Sequence, residues 1–102
     1  MFMFEDLVYV DDRGIQLIMR DVSNEELTML LKGAGEDMNE KILNNLSERA
    51  EALIKEDLES MGPVRLTDVE KSQQSVVRIA KKLEDEGKIV VAGRGGGGDV
   101  LV

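Results

Sequence analysis

The run from Leu46 to Arg65, LSERAEALIKEDLESMGPVR, decides how the rest of the chain is read. Ser47 can cap a helix, because its hydroxyl can accept a hydrogen bond from an unpaired amide of the first turn. Gly62-Pro63 ends the run, with glycine suited to the left-handed position after a helix and proline unable to continue it. Between these marks Ala50, Leu53, Ile54, Leu58 and Met61 recur at helical spacing and predict one apolar stripe. At about 100° per residue, Arg49, Glu56 and Glu59 point away from that stripe and Asp57 sits on its shoulder. Arg49 and Glu56 lie seven residues apart, roughly 10 Å along a helix axis, too far to pair with each other. The expected result is an exposed ridge with a positive and a negative end. A solvated helix face has the same appearance, since charged outer faces are the norm.

Composition narrows what such a ridge can belong to. A chain of 102 residues makes one domain with one core. That core must be aliphatic, because there are two Phe, one Tyr and no Trp. With 33% of residues charged, the composition suits helices better than a sheet sandwich. A net charge of −8 argues against nucleic acid and against an anionic membrane surface as partners. Neither cysteine nor histidine occurs, which removes disulfides, thiolate nucleophiles, imidazole bases and the usual zinc ligands together. No stretch approaches the length of a membrane span and no signal-peptide pattern opens the chain, so a soluble acidic domain is expected.

Outward from the central run, the remaining helices announce themselves by their caps. Met1-Phe2-Met3-Phe4 has no capping residue and reads either as a buried first turn or as a joint whose soft contacts re-form in more than one arrangement. Glu5 to Val10 predicts a short helix ended at Asp11-Asp12. Ile15, Ile18, Met19 and Val22 mark the buried face of the next, with Gly14 weakening its first turn. Ser23-Asn24-Glu25-Glu26 is a capping box ahead of Leu27, Leu30, Leu31 and Ala34. Gly33 and Gly35 close that helix, leaving Lys32 in its last turn, where a cation suits the helix dipole. Glu36-Asp37 opens a fourth helix with Met38, Ile42, Leu43 and Leu46 inward. After the central run, Thr67-Asp68-Val69-Glu70 reads as a second capping box. It introduces the longest helix, about 68 to 86, with Val69, Gln73, Val76, Val77, Ala80 and Leu83 as its seam. Gly87 stops it.

Lys88 to Val91 is β-branched without an obvious partner strand and is expected to lie extended over the helices. The glycines around Arg94 lack the spacing and the following helix of a phosphate-binding loop, and predict a flexible tail over 92–102. The fold expected is therefore all-α: a compact bundle of about six helices with short connections, permitting an armadillo-like arrangement, and a short extended C-terminal segment. The carboxylates are spread at spacings that suit capping and i,i+4 support, as for Glu51 with Lys55, and form no acid–base pair or metal cage. No catalysis, cofactor or metal is expected. Recognition by charge remains, and contacts of that kind form and release quickly. A competing expectation is a generic helical adaptor that binds a partner helix in an apolar groove.

Several ordered motifs then carry a resemblance across nearly the whole chain. They are Met-Phe-x-Phe-Glu-Asp-Leu at 1–7, Asp-Asp-Arg-x-Ile-Gln at 11–16, Leu-Lys-Gly-Ala at 31–34, Arg-Ala at 49–50, Gly-Pro-Val-Arg-Leu at 62–66 and Leu-Glu-x-x-Gly-x-Ile-Val at 83–90. Together they resemble the C-terminal domain family of the bacterial flagellar motor switch protein FliG. The resemblance implies a rotor protein at the cytoplasmic face of the flagellar basal body, whose long exposed torque helix meets the cytoplasmic loop of the stator protein MotA. It implies stator-facing roles for Lys32, Arg49, Glu56, Asp57 and Arg65. It also implies that Met1, Phe2, Met3 and Phe4 form the hinge to a preceding domain, ahead of a six-helix domain over 5–91. Rotation about that hinge would reverse the motor, and neighbouring domains and other switch-complex proteins would be further partners. On this view Phe2 and Phe4 are expected to be disordered in the isolated domain or packed on a neighbouring molecule.

Overall fold

The caps that the sequence offers start three of the helices. In a computed structural model, which describes residues 2–91, the Asp11 carboxylate accepts the Gly14 amide at 2.8 Å and opens α1, Asp12–Met19. Ser23 Oγ accepts the Glu26 amide at 3.1 Å while Glu26 Oε1 accepts the Ser23 amide at 3.4 Å, so the expected capping box opens α2, Asn24–Lys32. Ser47 Oγ accepts the Ala50 amide at 3.1 Å and opens α4, Glu48–Ser60. Between them α3, Glu36–Leu43, starts after Gly35 with no side-chain cap, and Glu36 and Asp37 supply negative charge to its first turn. The six-residue segment before α1, Phe4–Tyr9, is wound as a 3-10 helix. Its entry is held by the Asp6 carboxylate, which accepts the Met3 amide at 2.9 Å.

The second expected capping box does not form. The last helix, α5, runs Leu66–Asp85, so Thr67 already lies inside it and its hydroxyl is past the position from which it could cap. The orphan amide of Asp68 turns instead to the Arg65 carbonyl at 3.1 Å, which also accepts the first regular helical bond, from Val69 at 3.2 Å. The end of α4 also departs from expectation. Gly62 does not take the left-handed conformation; Met61 is extended at φ −76, ψ 126, and the chain leaves the helix directly. Pro63 disfavours helical geometry at Gly62, the residue before it, and Met61 has already left the helix one residue earlier. Gly87 does stop α5. It has φ +74, and its amide bonds the Glu84 carbonyl at 2.9 Å while the Lys88 amide bonds that of Leu83 at 2.9 Å, a Schellman closure.

Six helices and no strand occur among the described residues, and no helix is long and apolar enough to cross a membrane. Helix α2 occupies the centre, with α5 against one side and α4 against another. The 3-10 helix packs on α3 and α5, and α1 packs on α5. Leu7, Ile15, Ile18, Leu30, Leu31, Ile42, Ile54 and Val76 are fully buried, an aliphatic core as the composition requires. Phe2 and Phe4 are buried with them, 5% and 8% exposed. The first segment is therefore packed on its own domain, contrary to the expectation that these rings would be disordered or seated on a neighbour. The segment after α5 finds a partner too: Val91 forms an antiparallel bridge to Val10, with Ile89 and Val91 buried and Val90 outward. The expected tail over 92–102, Arg94 and its glycines included, lies outside the described residues.

Two glycines act through close approach. A Cβ at Gly33 would stand 2.5 Å from Val69 Cγ1, so the end of α2 meets the start of α5 only because position 33 has no side chain. Gly14, expected to weaken α1, is likewise required, since a Cβ there would run into Val10 Cγ1 and crowd Ile89. Gly33→Ala is expected to destabilise the fold by about 1–3 kcal/mol, the range for overpacking, despite alanine's better helix propensity. Gly62→Ala, where nothing lies within 4 Å, should stay within about 0.5 kcal/mol. Urea unfolding of the two variants side by side checks the contrast.

Candidate functional site

Helix α4 rests on the domain through a narrow footing. Of its thirteen residues only Ile54 is fully buried, and Ala50, Leu58 and Met61 are half-buried around it. With Ile54 turned inward, Arg49 and Glu56 come out on the opposite side, within about 20° of each other at 100° per residue. Both are exposed, as are Asp57 and Glu59. No ion pair involves Arg49, Glu56 or Asp57 among the described residues. The helix does carry one internal pair, Lys55 to Glu51 at 3.1 Å, the expected i,i+4 support. Ser60 caps nothing forward; its hydroxyl donates back to the carbonyls of Glu56 and Asp57 at 3.2 Å.

Leu53 corrects the expected stripe. It is 46% exposed and points out beside the charges, between the directions of Asp57 and Arg49. Its place in a periodic apolar series made it look internal. The reason it is not lies in the partner: α4 packs chiefly on α2, and one helix facing another buries a narrower arc than a helix wrapped by neighbours.

The other two charges stand at the far end of the ridge. Lys32 is exposed at the end of α2, and its Nζ donates to the Met61 carbonyl at 3.4 Å, which joins it to the C-terminus of α4. Arg65 is exposed in the connection to α5, with its Nε 3.8 Å from Asp68. That contact is open to solvent and contributes about 0–1 kcal/mol at most. Lys32 therefore joins α4 by contact, Glu56 and Asp57 share its outer half, Arg49 marks its start, and Arg65 follows four residues after Met61.

A second surface was not anticipated. An open groove of about 700 Å³ runs along the outer side of α5, with Phe2 and Val77 as its apolar lining. Arg78, Lys81, Lys82, Asp85 and Glu86 complete it. Lys81 bonds Asp85 at 2.7 Å and Glu86 pairs with Lys88 at 3.2 Å, while Arg78 and Lys82 are in no ion pair among the described residues. Sequence periodicity could flag these cations as an outward face of α5. The apolar lining depends on Phe2, from the other end of the chain.

No group of three or more carboxylates among the described residues could hold a metal ion. The class of protein these features define is an all-helical domain that presents fixed surface charge on a helix held by a small aliphatic core. The chain belongs to the FliG C-terminal domain family, whose model matches residues 1–91. It is 51% identical over 102 residues to the flagellar motor switch protein FliG of Thermotoga maritima, and 51% identical over 102 residues to that of Bacillus subtilis. Both comparisons cover all of this chain, which spans 30% of the length of either relative. Among solved structures, a FliG fragment from H. pylori superposes with a TM-score of 0.85 at 33% identity, covering 90% of this chain and 40% of that one. The full-length FliG of Aquifex aeolicus gives a TM-score of 0.81 at 45% identity, covering 85% of this chain and 27% of that one.

The footing of α4 has a measurable consequence. Ile54→Ala is expected to cost about 2–5 kcal/mol, as deletions of buried aliphatic side chains do. Amide exchange in α4 should rise more than in α5, because α4 has no second fully buried side chain to hold it. Hydrogen exchange read by mass spectrometry tests whether the loss is local in this way.

Proposed function

We propose that this chain is the torque-bearing domain of a flagellar rotor protein, at the cytoplasmic face of the basal body, and that α4 engages the cytoplasmic loop of the stator protein MotA. The observation that carries the reading is the state of Arg49 and Glu56. Both stand exposed on the side of α4 away from Ile54, and neither is tied into an internal ion pair among the described residues. A charge already paired within the domain would have to break that pair before attracting a partner. These two do not.

The mechanism follows from the physics of exposed charge. Ion flow through the stator moves its loop, and charges on the loop attract the ridge transiently and draw the rotor domain along. Each exposed pair contributes about 0–1 kcal/mol, so several together give direction to the contact while letting it release. Arg49 at the start of α4 and Lys32 with Arg65 beyond its C-terminus supply positive charge on either side of the negative Glu56 and Asp57. The neutral, solvent-facing alternative for the same helix predicts that none of these charges matters to torque.

Reversal of rotation is assigned to the first four residues. Phe2 and Phe4 are buried in this state, so a hinge at Met1 to Phe4 must exchange one packed arrangement for another. Phe2 and Val77 of α5 line the same two surface hollows, so a cross-link that freezes the hinge belongs between positions 2 and 77. A motor locked by that link should turn in one sense only; continued reversal with the link verified would remove the hinge from the mechanism.

The adaptor reading keeps one supporting observation, the α5 groove with its apolar lining. The two readings separate on charge reversal. Arg49→Glu or Glu56→Lys is expected to lower swimming speed, and a compensating reversal on the stator loop to restore part of it. Binding of the stator loop should also weaken steeply with added salt. Unchanged speed in single and double reversals, together with salt-independent binding, would leave the adaptor reading standing.

A further inference from the structure

Helices α4 and α5 carry the same ladder of charge on their outer faces. In α4, Arg49 is followed seven and eight residues later by Glu56 and Asp57. In α5, Arg78 is followed seven and eight residues later by Asp85 and Glu86. Seven residues span roughly 10 Å and return to within about 20° of the same direction, so each ladder runs along one side of its helix at the same pitch. All six side chains are exposed.

Between the rungs the two helices differ in a complementary way. On α4 the position after Arg49 on the ridge is Leu53, an outward aliphatic side chain that is 46% exposed. On α5 the ladder borders the groove whose apolar lining is Phe2 and Val77. Arg78 and Lys82, in no ion pair among the described residues, sit beside that lining, in a chain whose net charge is −8. A cationic, apolar-lined trough and an acidic ridge with one projecting leucine are thus present on the same molecule, on different helices.

We infer that α4 of one copy of this chain docks antiparallel into the α5 groove of a second copy. Antiparallel alignment sets Glu56 opposite Arg78 and Arg49 opposite Asp85, with Lys82 about 6 Å further along the trough from Arg78. Asp85 and Glu86 already pair with Lys81 and Lys88, but those pairs are solvent-exposed and contribute little, so they yield readily to Arg49. Leu53 enters the trough over Phe2 and Val77. Parallel alignment would place like charges in register, which costs energy instead of releasing it. The knob and the trough lie on different faces, so the contact is heterologous: each copy offers one surface and accepts with another. Because the contact is small and its charges lie at the rim, it forms weakly and reversibly. The inference draws on the two ladders and the groove alone. It shares α4 with the stator reading, and a second copy on that ridge would compete with any other partner for it.

Sedimentation velocity of the 102-residue chain over a concentration series, at about 0.1 M salt, tests this without a stator, so the two readings fail separately. At that ionic strength the repulsion between acidic copies is screened beyond about 10 Å, while contact pairs persist. The weight-average sedimentation coefficient is expected to rise with concentration. It should stay flat for Glu56→Lys with Asp57→Lys, and flat for Arg78→Glu with Lys82→Glu. An equimolar mixture of the two double variants should associate again, because each restores what the other lacks. Circular dichroism on each variant keeps loss of fold apart from loss of contact. The absence of native cysteines gives an independent measurement: Leu53→Cys mixed with Lys81→Cys should oxidise to the mixed disulfide in excess over either homodimer. A wild-type chain that stays monomeric throughout the series overturns the inference, as do double variants that still associate, a mixture that does not, or a statistical yield of the three disulfides.

Discussion

The close meeting of α2 with α5 at Gly33 and Val69 is the contact on which the remaining arrangement depends. Helix α2 has α5 and α4 as its main neighbours, and Leu27, Leu30 and Leu31 are buried along it. Because Gly33 brings no side chain to the crossing, α5 can lie against the end of α2. That leaves another side of α2 open to α4. The same α5 then receives the 3-10 helix and α1, so the N-terminal elements gather on one long helix.

From that arrangement follows the contrast between a firm centre and a lightly held edge. The 3-10 helix, α1, α2, α3 and α5 each bury two or more residues, whereas α4 buries Ile54 alone. A helix with one deep anchor exposes most of its circumference. Here that circumference carries Arg49, Leu53, Glu56, Asp57 and Glu59, so the weakness of the footing and the availability of the ridge have one cause. Lys32 reaches the far end of this helix through its bond to the Met61 carbonyl and ties the charge pattern back to α2.

The N-terminal aromatic residues belong to the core and to the rim of the groove at once. Phe2 and Phe4 lie buried, yet Phe2 also lines the open groove beside Val77. A ring at the border of a trough gives up fewer contacts on moving than one sealed on all sides. This supports the proposed role of Met1 to Phe4 without requiring the segment to be loose. It also explains why the groove escaped notice: half of its apolar lining is 75 residues away from the other half.

Local chemistry was legible from the order of residues. Ser23 with Glu26, Ser47 and Gly87 each act within a few positions of themselves, so helix starts and stops could be read directly, as could the outward direction of Arg49 and Glu56. Thr67 and Gly62 misled for the same local reason, since a helix beginning two residues earlier, or a proline next door, changes what a residue can do. Which apolar residues ended inside was another matter. Leu53 is out and Ile54 in because α4 faces little besides α2, and Val91 is paired because Val10 happens to stand beside it. Gly14 looks like a helix weakness and Gly33 like a helix stop in one dimension, and both prove to be points of contact in three. Periodicity specifies which side of a helix can be buried; only the number and position of its neighbours set how much of that side is covered.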